Sequence, residues 1–413
     1  MATSSRSAST PGWPVSGAQS RPPAAQGAGG WTWALTAPLL VFLAIAFLGP
    51  VLLMLARAVS DAELPSAWPQ TAQLLRDWDG NGPPDDRLAA ALGTEILAAR
   101  RAGTLNRVAN RLNYDLVGSR SLVYATGDAL ERGASVRGFA DLARIDRRWI
   151  NPAVWTAMRH AAGPRTSFYL LASVDRRLDG DGRIVQVERE QAVFVDILLR
   201  TFLISAVVAL LCALLGYPVA YLLATLPSRW ANPLLILVLL PFWTSALVRT
   251  TAWVVLLQTH GVLNEALIGM GLIETPLALI YNRLGVYIAM THVLLPFLVL
   301  PLYGVMKGIS AAEMRAATSL GAGPLTVFLR IYLPQTLPGL LAGMIIVFTL
   351  ALGYYITPAL VGGGADQMVS GSIAFYTNQS LNWGMAAALS LLLLVPLTLM
   401  LFAGRYLTKS VPV

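Results

Sequence analysis

The sequence holds little charge and a single cysteine. Charged residues make up 13% of the 413 residues, whereas apolar residues make up 55%. That is more apolar surface than the core of a soluble protein of this length needs. Because Cys212 stands alone, the chain has no intrachain disulfide and no cysteine-based metal site. The composition indicates a chain whose solvent is a lipid bilayer.

Sequence motifs for catalysis are also missing. No Gly-x-x-x-x-Gly-Lys-Ser/Thr loop occurs, so the chain cannot hold nucleotide phosphates in that way. His160, His260 and His292 lie far apart without ligand spacing, and no Ser/His/Asp grouping is evident. The run from Asp179 to Gly182 resembles part of a calcium loop, but the later ligands are absent and Asp-Gly repeats favour tight turns. We therefore expect a chain that is not an enzyme and that holds no metal.

The positive charge is not gathered into one basic segment. A net charge of +8 is compatible with nucleic-acid binding, so the position of the charges decides its meaning. Residues 56–196 contain 19 Arg and 18 Asp or Glu and are nearly balanced. The excess belongs to the apolar remainder of the chain, which argues against nucleic acid as a partner and makes membrane lipid the expected surroundings.

Six apolar runs are long enough to cross a hydrocarbon core of about 30 Å. They occupy residues 31–55, 197–226, 233–258, 284–306, 337–360 and 384–406. The first run is too long for the apolar part of a signal peptide, which favours a retained anchor. Prolines inside the runs favour a transporter over a passive anchor, because broken spans are tolerated where neighbouring helices or a wet cavity satisfy the freed carbonyls. The pattern predicts an all-α polytopic membrane protein with six transmembrane helices.

The basic residues of the short connections predict the orientation. With the N-terminus inside, the cytoplasmic segments carry eight basic residues against Glu313 alone, as expected of segments that resist translocation. Residues 56–196 and the segments near 259–283 and 361–383 are then extracytoplasmic, and both termini are cytoplasmic. The eight basic residues are Arg6, Arg21, Arg229, Lys307, Arg315, Arg330, Arg405 and Lys409.

Two tails and one large insertion flank the predicted spans. Residues 1–30 are rich in Ala, Ser, Pro and Gly and predict a disordered cytoplasmic tail, and residues 407–413 form a cytoplasmic C-terminal tail. The insertion at 56–196 reads as a mostly helical extracytoplasmic domain, because apolar residues recur at helical spacing between 87 and 112. These are Leu88, Leu92, Ile96, Leu105, Val108 and Leu112.

A polar segment at 307–334 follows the fourth span on the cytoplasmic side. Residues 311–320 are strong helix formers, and Gly321-Ala322-Gly323 interrupts them. Pro324 suits the first turn of a second helix, which we expect to end before Pro334. Two short helices at a membrane surface suit protein docking, although the propensities alone are equally compatible with a plain connecting loop.

This segment resembles the EAA loop of ABC importer permeases across its full spacing. Arg315-Ala316-Ala317 is followed after three residues by Gly321 and after nine more by Ile331-x-Leu333-Pro334. In that family the first helix lies in a groove of the ATPase subunit and the glycine makes the turn. The resemblance implies ATPase coupling by Arg315, Ala316, Ala317, Leu320, Gly321, Ile331, Leu333 and Pro334. Arg315 stands where the family has glutamate, which implies a dedicated ATPase partner.

The resemblance extends over residues 195–405 and narrows to the spermidine/putrescine-type permeases with a large extracytoplasmic insertion. The stretches that carry it include 216–221 (GYPVAY), 240–245 (LPFWTS) and Val248-Arg249. It implies the type I ABC importer permease fold with a five-helix core at 197–406, in a bacterial inner membrane. It also implies a second homologous permease, two ATPase copies that bind ATP and Mg, and a soluble substrate-binding protein. This chain itself is expected to hold no cofactor.

Candidates for the translocation path are Trp243, Arg249, Tyr354, Tyr355 and Asn382. The resemblance implies all of them except Arg249, because family members line the central path from or near those positions. Arg249 is the only charge well inside a predicted span, and we expect it to face the bundle interior. A polyamine cargo calls for carboxylates or aromatic faces, yet no acid lies inside the predicted spans. An amino-acid-like or opine-like solute is the alternative cargo. An ion-coupled secondary transporter or a non-transporting sensor are the other classes, and the first of these would call for buried acids.

Overall fold

The computed structural model describes residues 28–80, 82–179 and 182–409. Of the predicted N-terminal tail, 1–27 lie outside the described residues, and 28–30 begin the first helix. Of the predicted C-terminal tail, 410–413 lie outside them, and 407–409 end the last helix. The structure forms two units, whose described parts are 28–53 and 54–409.

The first unit is one apolar helical run. Helix α1 (Ala28–Leu43) passes through a π-helical turn (Ala44–Leu48) into α2 (Gly49–Ala56), whose last residues belong to the second unit. No charged residue occurs between 31 and 55. At 1.5 Å per residue, a run of this length crosses the hydrocarbon core.

The insertion is a cluster of short helices followed by one hairpin. A 3₁₀ turn (Arg57–Val59) leads into it, and a second 3₁₀ turn (Arg147–Ile150) lies within it. The antiparallel strands β1 (Arg176–Leu178) and β2 (Ile184–Gln186) flank the Asp-Gly segment, of which residues 180 and 181 are outside the described part. The helices are α3 (Glu63–Ala67), α4 (Pro69–Asp77), α5 (Asp86–Arg101), α6 (Leu105–Asp115), α7 (Ser119–Glu131), α8 (Phe139–Ile145), α9 (Pro152–Ala161) and α10 (Phe168–Ser173).

Three buried tryptophans centre the core of the insertion. Trp149 donates its indole N–H to Thr126 Oγ1 at 2.9 Å, and Trp155 donates its own to the Trp149 carbonyl at 2.8 Å. Trp68 directly precedes α4, in which the N–H groups of Gln70 and Thr71 donate to the buried carboxylate of Glu95. The six apolar residues predicted to share a helical face are all buried in this core, on two helices separated by a turn at Gly103.

A charged cluster lies buried where the insertion meets the membrane helices. Arg111 is 1% exposed and donates to Asp61 and to Asp115 Oδ2, the latter at 2.9 Å. Burial raises the pKa of Asp115 to about 6, although the neighbouring Arg111 guanidinium acts in the opposite direction. The carboxylates of Asp115 and Asp61 hold the pKa of Arg111 above its usual value despite burial. The guanidinium also lies over the rings of Phe168 and Tyr169, at 4.5 and 5.4 Å from their centroids.

The second unit continues as the helical core that carries the remaining apolar runs. Its connections include a 3₁₀ turn (Leu240–Trp243), a π-helical turn (Phe328–Tyr332) and a 3₁₀ turn (Gly364–Asp366). Its helices are α11 (Phe194–Thr225), α12 (Ser228–Leu239), α13 (Ala246–Leu257), α14 (Val262–Gly269), α15 (Arg283–Gly308), α16 (Ala311–Ser319), α17 (Pro324–Val327), α18 (Leu333–Gly353), α19 (Ile356–Val361), α20 (Val369–Asn378) and α21 (Trp383–Lys409).

Three long helices form the centre of this core. Helices α11, α15 and α18 pack on one another, and small residues let them approach closely. A Cβ added at Gly216 would lie 2.8 Å from Leu298, and one at Gly343 would lie 3.0 Å from the Leu298 backbone. Close packing through small residues is how helices associate in a bilayer, where lipid removes most of the hydrophobic drive.

The third predicted span is broken, contrary to the prediction of one continuous helix at 233–258. Residues Ser228–Trp243 and Ala246–Gly269 form two helical segments bent by 102°. The break falls at Thr244 and Ser245, whose backbones are extended, directly after a 3₁₀ turn that contains Pro241. Proline removes an N–H group from the helix ladder, so the chain turns at this point.

The fifth span also differs from the prediction. The second helix of the 307–334 segment was expected to end before Pro334, but α17, the π-helical turn and α18 continue as one span over Pro324–Gly353. Leu333 donates its N–H to the Phe328 carbonyl, five residues back. This wider turn accommodates Pro334, which lacks an N–H. The span then ends at Gly353 rather than at 360, because Tyr354 is extended.

The predicted fold class is confirmed by these elements. Among the described residues, five helices are long and apolar enough to cross a membrane, and the bent pair makes six if it crosses as one broken span. The insertion after the first span is mostly helical, as expected, with one short hairpin in addition.

Candidate functional site

The segment after the fourth span, 307–334, contains a tight turn in which one residue must adopt the left-handed backbone conformation. Ser310 caps α16 by accepting the Ala312 N–H at 3.2 Å. At the other end Gly321 has φ +86°, its N–H donates to the Thr318 carbonyl, and the Ala322 N–H donates to the Ala317 carbonyl. These two bonds form a Schellman motif, which satisfies the last carbonyls of the helix. Gly321 is therefore required by the backbone conformation of the turn.

Two contacts fix α16 to the membrane core. Met314 packs against the cluster formed by the central helices. Glu313 Oε2 accepts a hydrogen bond from Gln335 Nε2 at 2.7 Å, which joins α16 to the start of α18. The sequence reading missed Gln335, and no sequence signal could have paired two polar residues 22 positions apart. These contacts join α16 to the central helices and to the fifth span.

The face of α16 that points away from the membrane core is exposed to solvent, and it is largely apolar at the C-terminal end of the helix. Leu320 is 89% exposed, and Leu325 across the turn is 69% exposed. Arg315 and Ala316 are also exposed, whereas Ala317 is half-buried beneath the turn. Thr318 and Ser319 donate their hydroxyls to the Arg315 carbonyl at 2.8 and 3.0 Å, so they cap their own helix. A small, shallow face with two exposed leucines at its end suits a groove on another protein.

The last three predicted coupling residues lie in the continuous fifth span. Ile331 is half-buried within the π-helical turn, and Leu333 and Pro334 follow it directly. Tyr332, next to Ile331, is buried and stacks on Phe328 with ring centroids 5.9 Å apart. These residues connect the turn at Gly321 to the membrane helix.

Two of the predicted path residues lie at the break of the third span. Trp243 ends the first segment and is 73% exposed. Arg249 lies in the first turn of α13, half-buried, and its Nε atom is enclosed without a hydrogen-bond partner. Next to it, Thr250 and Thr357 form a hydroxyl–hydroxyl hydrogen bond at 3.1 Å, which joins α13 to α19.

Of the other three candidates, Tyr354 and Tyr355 form the connection between α18 and α19, and Asn382 precedes α21. Tyr355 is 44% exposed and immediately precedes α19. Tyr354 packs partly against the central cluster, and its carbonyl accepts the Ser370 hydroxyl at 2.8 Å. Asn382 is 7% exposed and caps α21 by accepting the Met385 N–H at 3.0 Å. The structure thus brings Tyr355 to the helix that α13 contacts, whereas the side-chain oxygen of Asn382 is used in a helix cap.

A histidine that the sequence reading set aside lies beside Arg249. His292 is exposed on α15, and its Nδ1 accepts the indole N–H of Trp253 at 3.1 Å. The two rings meet edge to face with centroids 5.3 Å apart, and Arg249 precedes Trp253 by four residues on α13, so both lie on one face of that helix. Spacing in the sequence could not reveal this cluster, because α13 and α15 are brought together only by folding.

The insertion is attached to the N-terminal ends of two spanning helices, α11 and α21. Asp175 accepts the N–H groups of Val193, Phe194 and Val195, the first turn of α11, at 2.8 to 3.1 Å. Gly384, at the start of α21, packs so closely on Tyr169 that a Cβ there would lie 2.3 Å from the ring. The insertion is therefore joined to the second span through Asp175 and to the sixth span through Tyr169.

Known proteins share the core that carries these features. The chain is 35% identical over 222 residues to the spermidine/putrescine transport system permease protein PotB of Escherichia coli (strain K12), which covers 53% of this chain and 81% of that protein. It is 34% identical over 211 residues to the PotB protein of Haemophilus influenzae, covering 50% and 74%. It is also 34% identical over 193 residues to the molybdenum transport system permease protein ModB of Mycobacterium bovis, covering 46% and 71%.

A solved structure and a family model complete the comparison. A chain from the crystal structure of a bacterial alginate ABC transporter, in complex with an alginate pentasaccharide-bound periplasmic protein, has a TM-score of 0.44 at 17% identity, covering 52% of this chain and 78% of that one. The family described as binding-protein-dependent transport system inner membrane component matches residues 205–412, half of the chain. The chain belongs to this family of ABC importer permeases, and it is a multi-pass protein of the inner membrane.

Proposed function

We propose that the chain is the permease subunit of an ATP-driven, binding-protein-dependent importer for a small organic solute, with both termini in the cytoplasm. The segment that carries this proposal is α16 with its Schellman turn at Gly321 and its exposed Leu320. An apolar side chain that protrudes beside a rigid turn supports docking to a separate ATPase subunit. The Glu313–Gln335 bond supplies a direct connection from that dock to a membrane helix.

The partners belong to the same proposal. A second, homologous permease completes the path, two ATPase copies bind ATP and Mg, and a soluble protein delivers the solute from outside. This chain supplies no catalytic residue and no cofactor site. The insertion, which is clamped to the second and sixth spans through Asp175 and Tyr169, is suited to receive the loaded binding protein.

The polyamines are the first solute class to test, because the PotB relatives are named for spermidine and putrescine. Sequence identity does not decide the solute, since a molybdenum permease is 34% identical as well. An amino-acid-like solute is the second candidate, and Arg249 at membrane level favours it, because a guanidinium attracts a carboxylate and repels an ammonium group.

The test is uptake by the reconstituted complex. With the partner permease, the ATPase and the loaded binding protein present, we expect proteoliposomes to accumulate radiolabelled spermidine or putrescine only when ATP is enclosed. The same vesicles with a non-hydrolysable ATP analogue are the control. Accumulation that persists without ATP or without the binding protein would rule out the proposed class of transporter.

Removal of the exposed leucine should weaken the ATPase contact. Burial of a leucine side chain stabilises a contact by about 1.5–3 kcal/mol, so Leu320→Asp should lower the affinity for the ATPase subunit by about tenfold or more. Co-purification and titration of the ATPase subunit measure the loss. Val117→Asp is the matched control, because Val117 is 88% exposed but lies on the insertion. Equal retention of the ATPase by both variants would contradict the docking role of Leu320.

A further inference from the structure

Arg249, Trp253 and His292 form one cluster at membrane level, here called the donor cluster. His292 is nine residues from the start of α15, which places it ~14 Å along the helix axis at 1.5 Å per residue. That distance is near the middle of a hydrocarbon core of about 30 Å. Trp253 is held by the apolar cluster around Leu257, and the Thr250–Thr357 bond holds the neighbouring turn.

The open side of this cluster cannot face lipid at low cost. An arginine at the bilayer centre costs about 2.5–3.5 kcal/mol on insertion scales. Helix α15 buries its other side against α11 and α18, so His292 lies on the side that these helices leave uncovered. The cluster therefore faces either the translocation path or the second permease.

Every hydrogen-bonding group that the cluster leaves free is a donor. Arginine carries five N–H donors and no acceptor, and tryptophan carries only a donor. The single acceptor of the imidazole, Nδ1, is occupied by the Trp253 indole N–H at 3.1 Å, so the imidazole proton resides on Nε2. The free groups are thus the guanidinium N–H groups and the imidazole Nε2–H.

The part of the chain that the structure describes shows no partner for these donors. Arg249 Nε has no hydrogen-bond partner, and no ion pair joins Arg249 to a carboxylate among the described residues. In the described parts of the spanning helices, acids occur only at Asp196, in the first turn of α11, and Glu265, in α14 at the end of the bent pair. The acceptor must come from outside this chain.

We propose that the donor cluster binds a carboxylate at membrane level, with the guanidinium as its charged partner and the imidazole Nε2–H as a second donor. A planar guanidinium pairs with a carboxylate through two parallel hydrogen bonds, whereas an ammonium group finds no acceptor here. The carboxylate belongs either to the cargo or to the second permease. This inference rests on the proposed function, since it needs a path between two permeases.

The test compares two solutes that differ by one carboxylate. Ornithine is putrescine with a carboxylate added, so uptake of radiolabelled ornithine and putrescine is measured on the complete reconstituted complex. The variants are Arg249→Gln, which removes the charged guanidinium, and His292→Phe, which removes the imidazole Nε2–H donor. Arg229→Gln is the control, because it removes an exposed arginine from the same chain. The yield of assembled complex is measured for every variant.

The two sources of the carboxylate give different results. If the cargo supplies it, both variants should assemble normally and lose ornithine uptake by about tenfold, the effect of one lost charge-assisted hydrogen bond, while putrescine uptake is unchanged. If the second permease supplies it, both variants should lower the yield of complex, and uptake of the two solutes should fall together. Arg249→Lys should recover part of either loss, because it keeps the charge without the planar fork.

Other results overturn the inference. Normal yield with both uptakes within about twofold of the unmodified complex would remove the donor cluster from any carboxylate site, since a lost charge-assisted bond costs more than that. Loss of putrescine uptake with normal ornithine uptake would also remove the donor cluster from any carboxylate site. If the complex transports neither solute, the solute bound to the purified binding protein is identified by mass spectrometry. A solute without a carboxylate, together with normal yields of both variant complexes, overturns the inference. Uptake that proceeds without ATP would instead contradict the proposed function and leave these comparisons valid.

Discussion

Replacing Gly321 by valine is expected to reduce ATP-driven uptake by about tenfold while the chain still inserts into the membrane. Gly321 has φ +86° and supplies the left-handed residue of the Schellman turn. A side chain in that conformation costs about 1–2 kcal/mol, and β-branching adds to the strain. Relaxation of the turn should change the angle between α16 and the fifth span. Binding of the ATPase subunit to α16 should then no longer move the membrane helix.

The neighbouring glycine is the control for this substitution. Gly323 lies in the same turn, but its φ of −69° and ψ of 158° suit any residue that precedes a proline, and no atom lies within 4 Å of a Cβ added there. Gly323→Val should therefore retain uptake. ATP hydrolysis and solute uptake are measured on the same vesicles. Equal uptake by the two valine variants would show that the left-handed turn is not required for coupling.

Replacement of Arg111 by methionine should destabilise the insertion more than any other single change described here. The substitution leaves Asp61 and Asp115 buried without their cation, and breaking a buried pair in this way costs about 3–5 kcal/mol. The cation–π contact with Phe168 is lost as well. We expect the thermal unfolding midpoint of the insertion to fall by about 10 °C or more. Tryptophan fluorescence measures it, because Trp68, Trp149 and Trp155 are all in that core.

Two further variants separate the charge effect from simple loss of an arginine. Arg120→Met, on the adjacent helix α7, removes an exposed arginine and should leave the midpoint unchanged. Asp61→Asn combined with Arg111→Met removes one stranded charge and should recover part of the lost stability. In the assembled complex, Arg111→Met should reduce stimulation of ATP hydrolysis by the loaded binding protein more than basal hydrolysis. An equal reduction of both would indicate that the insertion has no part in receiving that protein.

The segment at 307–334 shows how far sequence patterns predict structure. The run of helix formers at 311–320 and the glycine after it predicted α16 and its turn, because helix propensity and left-handed glycine are local properties. The end of the following helix was predicted wrongly. Pro334 was taken as a stop, but a π-helical turn widens the ladder just before it and lets the helix continue. Such a turn depends on packing of Phe328 and Tyr332, which propensity does not contain.

The membrane core shows the same limit to what sequence patterns predict. Apolar runs predicted the spans, yet the 102° bend at Thr244 and Ser245 was missed, since proline inside a hydrophobic run is compatible with a mild kink or a full break. Arg249 was singled out by its charge alone. His292 was set aside because its sequence spacing matched no known ligand pattern, although it lies beside Arg249 in the structure.

By itself, the sequence determined the solvent of this protein, its helical character and the place of its left-handed turn, because apolar run length, propensity and glycine act over a few neighbouring residues. The tertiary structure alone decided which polar groups meet. Trp253 and His292 are 39 positions apart, and Arg111 and Asp61 are 50 apart. Such pairs form only when helices pack, since the energy that unites them comes from burying many other side chains along the same faces.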